Sequence, residues 1–344
     1  MFASRLAAQS GKALYDGFCS QCCLGITRRD DIGEEPSSDS KLYLVNTVSR
    51  SVSMEGVLYE YVPGRVAWCY GETSAAAHTL LFIGGLMDTF YSPSYTPPLS
   101  QRLAKQWGLV HIQLSSFGQG FGTSSIEQDA RELDQFIEFW KTLYPRGKLV
   151  LMGHSTGCQD IVFFLKHAFH KDRVDGVILQ APVSDREALL CETKEEIEMK
   201  LEMLKLAESM ITEGKGLEIL PRKAFWNIPI TAQRFQSLCE RGGPDDMFSS
   251  DFSDEQLEDL LGHMRAIPCL AIFSMKDQYV PESIDMEKLT TRLYTAMSGS
   301  SSRSRSLKLR ESDHSVTSDS ERAIMFSSIN HFLSEIERAS ECTA

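Results

Sequence analysis

The chain of 344 residues carries 35 Lys and Arg against 47 Asp and Glu, a formal net charge of −12, with 42% hydrophobic and 24% charged residues. An acidic balance of this size excludes a broad basic surface for nucleic acid or anionic lipid. The longest uncharged apolar window, Thr73–Met87, has 15 residues where a membrane span needs ~18, so composition leaves a globular enzyme or binding module with a sizeable core.

Residues 1–52 read as a weakly structured N-terminal extension. Arg5 and Lys12 precede the first acid, Asp16. That is faintly like a mitochondrial transit peptide, but a disordered leader is the plainer expectation. Cys19 and Cys22 form one CxxC, yet the nine cysteines are odd in number and scattered, with no second pair or His cluster at zinc spacing. The expectation is reduced thiols, no metal, and a cytoplasmic protein, with a mitochondrial one as the alternative.

From Gly56 the signals become regular. Leu58–Val62 and Arg65–Tyr70, split by Pro63-Gly64, predict a β-hairpin. Thr79–Ile83 is a short buried strand running into Gly84-Gly85. Pro97–Trp107 predicts a helix and Leu109–Leu114 a strand. The Gly/Ser loop 115–124 includes Gly118-Gln-Gly120-Phe-Gly122, which lacks phosphate-loop spacing. It ends in an expected capping box, Ser124-x-x-Glu127. Ile126, Ala130, Leu133, Ile137 and Trp140 then share one helical face. Lys148–Met152, Cys158–Lys166 and Val174–Gln180 continue as strand, helix, strand. This alternation predicts βαβ units and a mostly parallel sheet.

The alternation breaks at residue 184. Through residue 265 the pattern is helical, with Ile197, Leu201, Leu204 and Ile211 on one face of a charged helix. Asp245, Asp246, Asp251 and Asp254 miss calcium-loop spacing and are expected to form a solvated face. A helical insertion within an α/β sheet is most simply a cap over a site. The sheet resumes at Ile267–Phe273 and Ser306–Leu309, after a Ser/Arg-rich linker, and a final helix covers 321–338. The domain expectation is an α/β core at 53–183 and 266–340 with a helical cap at 184–265.

The motif that carries chemistry is Gly153-His-Ser155-Thr-Gly157, between a strand and a helix. A nucleophile in a sharp, strained turn exposes its Oγ and needs small neighbours, while the following helix aims N–H groups at the developing oxyanion. The base and acid must follow in the order Ser, Asp or Glu, His. Of the downstream histidines 167, 170, 263, 314 and 331, only His314 lies in a loop between the last strand and the last helix. Asp277, just after strand 267–273, is the expected acid; Asp185 is its rival, and Asp313 is too near the base in sequence to orient it. The loop Ile83-Gly-Gly-Leu86-Met-Asp88 is expected to supply an oxyanion donor at Leu86 N–H beside Thr156 N–H. Gly85, Asp88 and Asp185 are expected to face the substrate.

Leu81-Phe-Ile-Gly-Gly-Leu-Met-Asp88, Met152-Gly-His-Ser-Thr-Gly-Cys-Gln-Asp160 and Ile178-Leu-Gln-Ala-Pro-Val-Ser-Asp-Arg-Glu-Ala-Leu189 together resemble the fungal siderophore-esterase-like α/β-hydrolases. The resemblance spans roughly residues 55–337 and matches Ser155, Asp277 and His314 to nucleophile, acid and base. It implies hydrolysis of ester bonds, in the characterised branch those of fusarinine-type hydroxamate siderophores, with a small-molecule ester as the partner and no cofactor. An acyltransferase or thioesterase could use the same triad, and a non-catalytic hydrolase-fold binding protein is the reading from another class.

Overall fold

The computed structural model describes residues 55–71, 77–299 and 303–341; the N-terminal extension and its CxxC lie outside the described residues. Eight strands form one sheet: β1 (Gly56–Val62), β2 (Arg65–Tyr70), β3 (His78–Ile83), β4 (Trp107–Ile112), β5 (Leu149–His154), β6 (Gly176–Gln180), β7 (Cys269–Ser274) and β8 (Arg305–Leu309). Their order is β1-β2-β4-β3-β5-β6-β7-β8. β1, β2 and β4 pair antiparallel, and every other pairing is parallel. Connection β3–β4 steps one way along the sheet and β5 returns on the other side of β3. That reversal opens a crevice at the carboxyl ends of β3 and β5, where open α/β sheets place their sites.

Strands β5, β6 and β7 are buried along their whole length, as expected when both faces of a parallel sheet are covered. Alternate residues serve different layers. Leu81, Ile83, Leu151, Val177 and Leu179 pack with α2 (Ile126–Leu143), α3 (Gly157–His167) and α8 (Met286–Ser298). On the other face, Phe82 meets Tyr95 edge-on, and Gly176 leaves room for Phe332 and Ile336 of α9 (Asp319–Glu341). Trp140, on the apolar face read from the sequence, also donates its indole N–H to Thr79 Oγ1 at 2.8 Å.

Three local expectations shift. Helix α1 (Thr96–Arg102) ends well short of Trp107, which opens β4 instead. Asn330 of α9 caps it, accepting from Ala104 N–H and donating to Arg102 O, both at 3.0 Å. The cap of α2 is Ser125, which accepts from Gln128 N–H, while Ser124 turns to Asp129. In α5 (Lys194–Thr212) the buried positions are Lys200, Met203 and Ala207, whereas Leu201 is exposed. Lys200 is tolerated there because its ammonium pairs with Glu192 and lies over the rings of Phe225 and Trp226.

Residues 184–265 hold α4 (Asp185–Ala188), α5, α6 (Ala232–Cys239) and α7 (Asp254–Leu261), with one isolated bridge, Ile219–Thr231. Met203, Ala207, Leu220, Phe225, Ile230, Phe235 and Leu238 bury one another in a cluster joined from the sheet side by Phe121. Met247, Phe248, Phe252, Leu257, Leu261 and Met264 instead join the main core. Within residues 184–265 the second apolar cluster is thus drawn from residues 203–239. Among the described residues no helix is long and apolar enough to cross a membrane.

Candidate active site

Ser155 sits between the last residue of β5 and the first of α3 with φ 53, a left-handed conformation that costs an L-residue free energy and concentrates at functional sites. The flanking glycines are required by close approach. A Cβ on Gly153 would lie 2.4 Å from Gly157 O, and one on Gly157 would lie 2.4 Å from Ile83 O. The turn is pinned by Ser155 N–H donating to Gln180 O at 3.0 Å and by Cys158 N–H donating to Ser155 O at 2.8 Å.

Loop 84–92 lies against this turn. A Cβ on Gly85 would come 2.7 Å from Ser155 Cβ and 3.3 Å from its Oγ, so only glycine lets the loop lie so near the hydroxyl. Asp88 holds the loop in shape: its carboxylate accepts from Gly85 N–H at 2.7 Å and from the Ser92 hydroxyl. Met87 completes the bend with φ 64. Neither Leu86 N–H nor Thr156 N–H has a hydrogen-bond acceptor among the described residues.

His314 comes from the loop between β8 and α9, and Asp277 from the loop after β7. His314 Nδ1 lies 2.6 Å from Asp277 Oδ2, with both residues buried. Burial favours the neutral imidazole, but the Asp277 charge and its hydrogen bond outweigh it and raise the His314 pKa. The ring is boxed in by Tyr279 at 4.7 Å and by His154 at 4.8 Å, centroid to centroid. The neighbour of Ser155 in the chain thus touches the imidazole drawn from residue 314.

His154 and Gln180 did not stand out in the sequence. His154 Nδ1 is 2.6 Å from Gln180 Oε1, and burial lowers its pKa to about 4. Gln180, fully buried, also accepts from Tyr95 OH at 2.8 Å and donates from Nε2 to His314 O at 3.0 Å. The available signal was an amide ending an otherwise apolar strand, Gly-Val-Ile-Leu-Gln.

Asp185 begins α4, close to the site but away from the imidazole's Nδ1. Gln159 Nε2 donates to its Oδ2 at 2.7 Å, and burial, with Asp245 nearby, raises its pKa to about 8. Asp245 and Asp246 are buried, not a solvated face. Asp245 takes Arg234 Nη1 at 2.6 Å and Asp246 takes Arg186 Nε at 3.0 Å. Arg234 also donates to Phe121 O at 3.1 Å, tying α6 to the loop after β4. A polar cleft of about 840 Å³ lies between the start of α2 and α6, bordered by Arg65, Arg131 and Arg234 and by none of Ser155, Asp277 or His314. No set of three or more His, Cys, Asp or Glu among the described residues is arranged to hold a metal ion.

Residues 48–334 match a family described as a protein of unknown function (DUF1749). The chain belongs to that family. It is 33% identical over 290 residues to fusarinine C esterase sidJ of Aspergillus fumigatus, covering 70% of this chain and 82% of the relative. It is 31% identical over 297 residues to esterase AN6793 of Emericella nidulans, covering 69% and 79%. Among solved structures, the siderophore hydrolase EstB from Aspergillus fumigatus superposes with a TM-score of 0.73 at 28% identity, covering 83% of this chain and 99% of that one. The fold is the α/β-hydrolase fold, and these relatives place the chain among α/β hydrolases that cleave esters.

Proposed function

We propose that the protein is a serine esterase acting through Ser155, His314 and Asp277, on hydroxamate-type siderophore esters. One observation carries the triad: the buried 2.6 Å His314–Asp277 bond, whose imidazole packs on His154, next to a serine held at positive φ. With Nδ1–H donated to Asp277, His314 Nε2 is free to take the Ser155 proton as Oγ attacks the ester carbonyl. Leu86 and Thr156 N–H groups, both without acceptors among the described residues, would stabilise the oxyanion. The protonated imidazole then gives its proton to the departing alkoxide. A water deprotonated by His314 hydrolyses the acyl-enzyme, and the proton returns to Ser155. Gly85 brings the oxyanion loop against the nucleophile, Asp88 fixes that loop, and Asp185 lines the substrate side.

The substrate class rests on the two siderophore-acting relatives. A cytoplasmic location is proposed from the unpaired state of Cys69, Cys158, Cys191, Cys239 and Cys269, which fits a reducing compartment. The test combines labelling and turnover. A fluorophosphonate probe should label the wild type and spare Ser155→Ala, which should lose about 10⁴-fold or more in kcat on a fusarinine-type ester. Equal labelling of both proteins removes Ser155 from the mechanism.

A further inference from the structure

The side chain of Gln180 lies between two loops that chemistry would require to hold a fixed separation. It closes β6 in register with His154 of β5 and is completely buried. Every part of the residue is engaged. Its backbone carbonyl receives Ser155 N–H at 3.0 Å and the Cys158 thiol at 3.4 Å. Its side-chain Oε1 receives the Tyr95 hydroxyl at 2.8 Å and lies 2.6 Å from His154 Nδ1. Its Nε2 donates to the carbonyl of His314 at 3.0 Å.

These partners fix the amide's orientation. Tyr95 OH can donate to the carbonyl, and His314 O can only accept, so a flipped amide would set oxygen against oxygen. Oε1 therefore faces His154, whose ring proton must be on Nδ1. His154 Nε2 is then bare and stands 3.8 Å from Asp88 Oδ2, beyond hydrogen-bond range. A neutral imidazole suits that place, as its lowered pKa of about 4 requires.

We infer that Gln180 is a positioning residue: its buried side-chain amide clamps the nucleophile turn, through His154, to the backbone of the base, His314, while its main-chain carbonyl holds Ser155 N–H. This rests on the proposed triad and adds to it the element that sets the Ser155-to-His314 spacing. Gln180 makes no contact with either reacting atom, so its effect must appear in kcat, not in substrate affinity.

The test uses the full chain with Gln180→Met and Gln180→Glu, alongside Ser155→Ala and Tyr95→Phe. Gln180→Met keeps the length and removes the side-chain bonds to Tyr95, His154 and His314 O, leaving only the main-chain bond from Ser155 N–H. It should lower kcat by about tenfold to a hundredfold with KM within about twofold of wild type. Gln180→Glu supplies its own control. Protonated, the carboxyl can still donate to His314 O and accept from Tyr95 and His154. Ionised, it sets negative oxygen against that carbonyl. Its kcat should approach wild type at acid pH and fall at least tenfold, reversibly, as pH rises through the range where wild-type kcat increases or is flat. A purely structural role would lower the melting temperature without this inverted pH profile. The inference is overturned if Gln180→Glu follows the wild-type pH profile, or if folded Gln180→Met keeps wild-type kcat. If Gln180→Met does not fold, the pH profile of Gln180→Glu decides; should that also fail, Tyr95→Phe must lower kcat with KM unchanged, and wild-type kcat there overturns the inference. Full activity in Ser155→Ala would instead refute the triad itself, whatever the Gln180 variants do.

Discussion

Alanine at position 85 probes the approach of the oxyanion loop to the nucleophile most directly. Its methyl carbon would sit 2.7 Å from Ser155 Cβ, 3.1 Å from His154 O and 3.3 Å from Ser155 Oγ. Carbon atoms settle at about 3.5–4.0 Å, so the loop must withdraw by about 1 Å. It cannot withdraw at Gly85 alone, because Gly85 N–H is tied to Asp88 and Asp88 to Ser92. Leu86 N–H moves with them. A misplacement of about 1 Å costs on the order of 10²-fold, and loss of one oxyanion donor about 10²–10³-fold, or about 3–4 kcal/mol. Gly85→Ala should therefore lower kcat on a siderophore ester by about 10²–10³-fold, with a smaller change in KM. Overpacking should also cost about 1–3 kcal/mol of stability, so the comparison belongs well below the melting transition. Fluorophosphonate labelling, which builds a similar tetrahedral centre, should slow in parallel. A folded Gly85→Ala protein with wild-type kcat and labelling rate would refute this account of the loop.

Three further outcomes follow from the same geometry. Asp277→Asn should lower kcat by about 10⁴-fold. Because His314 must be neutral to act and Asp277 raises its pKa above the ordinary 6.5, the acid limb of kcat/KM in the variant should move to lower pH; an unmoved limb excludes Asp277 as the cause. The Asp185 carboxyl, with a pKa of about 8 against an ordinary 3.8, binds a proton in the folded state that the unfolded chain sheds, so its contribution to stability declines as pH rises from about 4 to 8. Asp185→Asn, which keeps an oxygen for Gln159, should lose less stability than wild type between pH 5 and 8.5 in urea titrations; parallel losses contradict the assignment. Phe121, fully buried with its ring 5.6 Å from Phe225, should cost about 3–5 kcal/mol on truncation to alanine. Hydrogen exchange should then rise first in residues 203–239, and uniform acceleration through the sheet would show that the layer has no separate core.

Much of the architecture could be read from residue patterns because its causes are local. Alternating strand and helix periods announced the parallel sheet, and Gly153-His-Ser-Thr-Gly157 announced a turn that only small residues permit. The departures came from partners far along the chain. Nothing in residues 97–107 signals that Asn330 will cap the helix after Arg102, 228 positions away. Four nearby aspartates read as solvated until Arg234 and Arg186 are seen to meet three of them. The same holds at the site. Asp277 and His314 were expected from loop position, but Gln180 gains meaning only when β6 sets its amide against the carbonyl of His314, 134 residues away.

The apolar cluster of residues 203–239 meets the sheet side mainly through Phe121, with Leu86, Met87 and Leu189 resting partly buried against it. Its interior can be remade by substitution with little disturbance to the strands that carry the reacting groups. Leu86 and Met87 belong to the loop that lies against Ser155, so repacking of the cluster is transmitted to the reacting hydroxyl through that loop. A library confined to that segment should change turnover through Leu86 and Met87 while the melting behaviour of the sheet stays put.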